Sequence, residues 1–216
     1  MKKFELTTEF ITNAFGKKLF RIKALIEFGD VKAGELGGYV EKEGNVSQDG
    51  DAWVSDNAWI SGDARVYDNA WISGDAWVYG NARVYDNAWV YGNAWISGDA
   101  RISGDARVYD NARVYGDAWV CDNAWVYGNA RVSGDARVSG DADYTLIQGF
   151  GTEFRCTTFY RGKNKKIMVN CGCFHGDLEE FRKQIKETRN GKIAKEYLMI
   201  ADLMEYHFAS ESSDDE

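Results

Sequence analysis

The sequence predicts a mainly β chain whose middle is a solenoid of short stacked strands. From Gly50 to Thr145 it reads in sixteen consecutive six-residue units, beginning GDAWVS, DNAWIS, GDARVY, without an insertion. The third position is Ala in all sixteen, and the fifth is Val or Ile until Tyr144. The first two positions are drawn from Gly, Asp and Asn throughout.

Each unit has a local reading. Ala, then Trp or Arg, then Val or Ile is the in–out–in alternation of a strand, with Ala and Val facing a core. Ala fits where space is tight, and β-branched residues favour extended backbone. Gly-Asp, Asp-Asn and Gly-Asn are turn dipeptides that tolerate positive φ and bond their own backbone. A three-residue strand followed by a corner cannot be a helix and is too short for a stable hairpin. It has to coil, each turn bonding to the next.

Composition narrows the function classes. With 44% hydrophobic and 14% aromatic residues the chain is not disordered. No run of apolar residues is long enough to span a membrane, and Met1–Glu5 shows no secretory signal. Four cysteines are too few for a disulfide scaffold, so a reduced, cytoplasmic setting is expected. The net charge of −8 argues against direct DNA binding. That charge is concentrated in residues 50–145, where fourteen Asp face seven Arg. All eight Trp lie in the same segment.

The hexads resemble those of the left-handed parallel β-helix, in which an aliphatic residue recurs every six positions behind a small one. The resemblance implies three hexads per triangular coil, left-handedness, and hence about five coils here. The lead-in RIKALIEFGDVKAGELGGYVEKEGNVSQDGDAWV is similar to the start of a group of hexapeptide-repeat proteins of bacteriophages and prophages. Its glycine-rich part, Phe28–Glu41, reads as an irregular first coil. Before it, Phe4–Thr7 and Leu19–Leu25 alternate as strands joined near Asn13–Gly16. Residues 1–49 are therefore expected to form an N-terminal β cap, needed because an open coil end is an unpaired edge.

After the hexads the pattern changes. Phe154–Arg161 and Lys166–Cys173 read as a hairpin across Gly162–Lys165. Asp177 can cap a helix that buries Leu178, Phe181 and Ile185 and ends near Asn190-Gly191. A second helix is expected over Ile193–Phe208, with Tyr197, Ile200, Leu203 and Met204 available for packing. This ββαα order over 146–209, with the signature Cys-Gly-Cys-Phe-x-Gly-x-Leu-Glu-Glu-Phe at 171–181, resembles a small domain at the ends of phage proteins. Residues 210–216 read as an acidic, disordered tail.

Four candidate sites follow. Cys171, Cys173 and His175, with Cys156 across the hairpin, offer metal-ligand chemistry, but the C-x-C spacing suits core residues on one strand face better than zinc. No cofactor is expected. The best-known activity of the resembled fold is acyl transfer with a histidine base beside the coils. Here the only histidines, His175 and His207, lie outside the hexads, which leaves acyltransferase as a lesser alternative. Asp corners could bind calcium, but Asn interrupts them.

The fourth candidate is the outward position. At eighteen residues per coil it forms three columns: Trp53, Trp71, Trp89, Arg107, Trp125, Asp143; Trp59, Trp77, Trp95, Arg113, Arg131; and Arg65, Arg83, Arg101, Trp119, Arg137. Stacking alone could account for them. They also form a large aromatic surface of the kind that meets a partner.

The functional expectation is a non-catalytic phage-encoded protein that engages a host protein, such as a defence or nucleic-acid enzyme, and forms a homo-oligomer with a trimer favoured. The alternative is an oligomer that sequesters a nucleotide or similar anion on Arg65, Arg83 and Arg101.

Overall fold

The computed structural model describes residues 2–140, 143–162 and 165–209. The acidic tail 210–216 and the hairpin tip at Lys163 and Asn164 lie outside the described residues, as do Asp141 and Ala142.

Strands β1 (Phe4–Thr12), β2 (Lys18–Ala24) and β3 (Leu36–Val40) lead into fifteen two-residue strands, β4 to β18, spaced six residues apart from Trp53–Val54 to Arg137–Val138. Each from β4 to β15 pairs in parallel with the strand eighteen residues on, as Trp53 with Trp71 and Trp71 with Trp89. Three sheets result, one per face of a β-solenoid of about six turns. The expected columns are therefore the observed ones as far as Trp125, Arg131 and Arg137. Asp143, expected to end the first, is outside that sheet and instead accepts from the N–H groups of Ser139 and Gly140.

Ala and Val or Ile of every hexad from Ala52 to Val138 are buried, so the interior is one continuous apolar cluster. The corners explain the first position. Asp56, Asp68, Asp86, Asp110 and Asp122 have φ between 55 and 58°, and the first-position glycines from Gly50 to Gly134 are also positive. Gly and Asp share this left-handed conformation, but Asp adds an acceptor. Asp56, Asp86 and Asp110 each take the backbone N–H of the corner one coil on, at 3.0–3.2 Å. At the second position Asn side chains also bridge coils, donating to the carboxylate one coil on, as Asn57 to Asp75 and Asn81 to Asp99.

The solenoid begins earlier than the regular hexads. Val40 registers with Ile60 and Val46 with Val66, so residues before Gly50 already form a coil. Its corner between Val46 and Val54 is longer than later ones and holds Gln48, whose amide bonds Lys3 and Phe4 backbone groups. Gly37 and Gly38 let β3 approach closely; a Cβ on either would collide with the backbone oxygens of Val54 and Ala58.

The C-terminal unit differs from the expected ββαα order. It is a four-stranded antiparallel sheet, β19 (Tyr144–Phe150), β20 (Arg155–Arg161), β21 (Ile167–Cys171) and β22 (Phe174–Asp177), followed by α1 (Leu178–Thr188) and α2 (Gly191–Phe208). Its first strand starts at Tyr144, inside the sixteenth hexad. Alternation across this sheet joins two cores. Tyr144 and Tyr160 belong to the solenoid core, with Leu146 and Met168 packed against it. Phe159 and Val169 face the helices, with Phe181, Ile200 and Met204. The sheet is therefore the solenoid's C-terminal lid as well as the floor of the helical layer.

Asp177 caps α1 as expected: it accepts from the Glu180 N–H at 2.9 Å while Glu180 returns a bond to the Asp177 N–H. No described helix is long and apolar enough to cross a membrane.

Candidate interaction surface

The outward columns are built by the strand register. Each fourth-position side chain points away from the Ala–Val interior and meets the equivalent residue one coil on. Trp77 and Trp95 stack with centroids 4.6 Å apart and planes at 14°. The Arg107 guanidinium lies 5.4 Å from the Trp89 ring centre and 5.0 Å from that of Trp125, so it is held between two aromatic faces. Arg113 lies over Trp95, and Arg137 over Trp119. Such pairs spread a cation over a π-face and keep flat side chains in register.

The columns are not uniformly open. Trp53 is 0% exposed, packed edge-on by Phe4 and Phe28. Trp59 is buried with Leu19 and Tyr39. The expectation that both belong to a surface ladder is therefore corrected: the N-terminal strands and the Phe28 segment cover them. Trp71, Trp77 and Trp95 are half-buried by their neighbours, whereas Trp89 is 48% and Trp125 41% exposed. Arg65, Arg83 and Arg101 are exposed on the third face.

Sixth-position tyrosines add a signal that the sequence reading left unused. Tyr91 and Tyr109 stack at 4.9 Å with planes at 1°, and Tyr109 continues onto Tyr127 at 5.4 Å. This ladder borders the Trp89–Arg107–Trp125 column at one corner. Burial raises the phenol pKa of Tyr91. The result is a rigid aromatic platform with one embedded cation.

The Cys/His candidates are not brought together. Cys171 ends β21, while Cys173 is exposed in the turn where Gly172 has φ 63°. The expected shared strand face is therefore absent, because the strand stops before Cys173. Cys171 accepts a bond from Thr157 at 3.1 Å, and burial pushes the neighbouring Cys156 thiol up. His175 points its Nε2 at the Tyr160 hydroxyl, 3.1 Å away. That hydroxyl also donates to the Ser133 carbonyl, and burial pushes it up to about 12. This network fastens the lid to the last coil. Among the described residues no group of three His, Cys, Asp or Glu is placed to hold a metal ion.

No curated protein matches the chain. The YdcK β-solenoid repeat family does match within it, at residues 58–74, 64–80, 76–92, 106–122 and 124–140. These windows all fall on the hexads, and each is about one coil long. In this part of the chain the protein is similar to the YdcK β-solenoid repeat family.

Proposed function

We propose that this chain is a non-catalytic binding protein of bacteriophage origin that acts in the host cytoplasm, engaging a host protein through the face that carries Trp71, Trp89, Arg107 and Trp125. The observation that carries the reading is the open pair Trp89 and Trp125 with Arg107 held between them. Trp, Tyr and Arg dominate the energetics of protein interfaces, and here they are pre-ordered by stacking, so little side-chain entropy is lost on binding. Elsewhere the N-terminal strands and the Phe28 segment bury the Trp53 and Trp59 rings, whereas Trp89 and Trp125 are each more than 40% exposed. The phage origin rests on the resemblance of the lead-in and of the 171–181 signature. The chain is proposed to assemble as a homotrimer through the face that carries the stacked Trp77 and Trp95, which leaves the Trp89 face free for the partner.

The test is capture from bacterial lysate followed by identification of the retained protein. Intact chain is expected to retain a specific protein that a Trp71→Ala/Trp89→Ala variant loses. Equal recovery by both chains would refute the assignment of this face.

A further inference from the structure

The third face carries a groove of about 550 Å³ lined by Glu43, Ser47, Gln48, Arg65, Tyr67 and Arg83, together with Gly44 and two valines. Its origin lies in the first coil. By register Asn45 occupies the outward position one coil before Arg65, because Val46 pairs with Val66. Asn45 instead turns inward and donates to the carbonyls of Gly62 and Ala64 at 3.1 and 2.8 Å. Among the described residues the Arg column therefore begins at Arg65, and the space before it is open as the groove.

The chemistry of the lining is directional. Arg65 and Arg83 are strand neighbours one coil apart, and among the described residues neither forms a salt bridge with a carboxylate. Two like charges facing each other across a strand pair are unfavourable unless an anion lies between them. The one carboxylate in the lining, Glu43, is already held by Lys2 at 2.8 Å and Gln48 at 3.0 Å. Beside the arginines, Tyr67 stacks on Tyr85 at 5.0 Å with planes at 1°. On its other side the ladder continues only with Ser47, whose N–H bonds Val66, and a serine is too small to cover the ring. A cationic pair and a free aromatic face thus border one groove of ligand size.

We infer that this groove binds a phosphate ester carried on a planar ring, a nucleoside monophosphate being the simplest case. Arg65 and Arg83 would clamp the phosphate, and the ring would extend the Tyr85–Tyr67 stack in the place that Ser47 leaves open. The inference is independent of the Trp89 face.

Calorimetry with the four ribonucleoside 5′-monophosphates tests it, with inorganic phosphate and the free nucleosides as the two halves of the ligand. At least one monophosphate is expected to bind at least about tenfold more tightly than either half, a difference of about 1.4 kcal/mol. Arg83→Ala and Tyr67→Ser should each weaken binding about tenfold without lowering the melting temperature, whereas Trp89→Ala/Trp125→Ala should leave it unchanged. Absence of heat for all four monophosphates, confirmed by the absence of a thermal shift at millimolar concentration, would overturn the site. Equal affinity for inorganic phosphate would overturn the role of Tyr67, and binding that survives Arg83→Ala would overturn the clamp.

Discussion

Lys3 and Asp143 close opposite ends of the solenoid with opposite hydrogen-bonding chemistry. Within the coils the N–H groups at the second, fourth and sixth hexad positions donate to carbonyls of the following coil, as Asn57 to Gly74, Trp53 to Ala70 and Ser55 to Ile72. The first coil is therefore left with spare carbonyls and the last with spare N–H groups. Lys3, 2% exposed, donates from Nζ to the carbonyls of Gly50 and Ala52 at 3.1 and 2.9 Å. Asp143 accepts from the N–H groups of Ser139 and Gly140 at 2.9 and 3.2 Å and is itself paired with Arg161. Thr158 likewise accepts from the Arg131 N–H. A donor-only side chain at one end and acceptors at the other satisfy backbone groups that would otherwise template another chain.

The Lys3 cap makes stability depend on pH. Burial pushes its ammonium down to about 8, against the opposing pull of Asp51 and Asp49. The unfolded chain, with lysine near 10.4, binds more protons than the native one between those values, so this group's contribution to stability rises with pH there and is lowest below pH 8. The gain from pH 7.5 to 9 should be about 1 kcal/mol. Cys121, pushed up to about 11 by burial and by Asp122, acts in the opposite sense from about pH 9 upward. Denaturant melts of wild type and Lys3→Met across this range should differ in slope by that amount; parallel curves would refute the assignment.

Asp143→Ala should remove three acceptor contacts and the Arg161 pair, lowering stability by about 1–2 kcal/mol. Because the freed N–H groups lie at a strand edge, the variant should also associate on concentration. Chemical denaturation and light scattering read the two effects; a variant that matches wild type in both would show that the lid alone seals this end.

Interior and corner positions should respond very differently. Ala94 is fully buried and Asn93 is exposed. Ala94→Leu should cost about 1–3 kcal/mol by overpacking the coil, and Asn93→Asp less than about 0.5 kcal/mol. Thermal melts of the two variants decide this, and equal melting temperatures would contradict the inward assignment of Ala.

The columns were legible in the sequence because the resemblance implied three hexads per coil, which decides which side chains meet, and Ala at the third position of every hexad sets the inward face. The burial of Trp53 was not legible. Its hexad GDAWVS differs in no useful way from GDAWVY at Trp77, and what covers it, Phe4 and Phe28, comes from another part of the chain. In the C-terminal unit, Asp177 carried its own capping signal in Glu180 three residues on. Strand β19 was hidden because its first residues complete a hexad, and the turn at Gly172 because Cys-Gly-Cys reads equally well as extended. The groove depends on Asn45 turning inward, which a single asparagine cannot announce.

Assembly offers a further expectation. Light scattering at micromolar concentration should give three times the 24.3 kDa chain mass. Trp77→Ala should shift the population toward monomer, since truncating a large aromatic at an interface core commonly costs about 2 kcal/mol or more. A wild-type mass of one chain would rule out the proposed trimer and leave the Trp89 face unaffected.

The central claim is that the Trp89–Arg107–Trp125 column serves recognition, whereas the Ala–Val interior serves the fold. The most direct measurement is a paired one on Trp89→Ala/Trp125→Ala: its melting temperature, and its retention of the protein that wild type captures. Removing two rings that are each more than 40% exposed should leave melting within a few degrees of wild type and abolish capture. A large fall in melting temperature, or undiminished capture, would instead show that the ladder is only the structural stacking of the solenoid's surface.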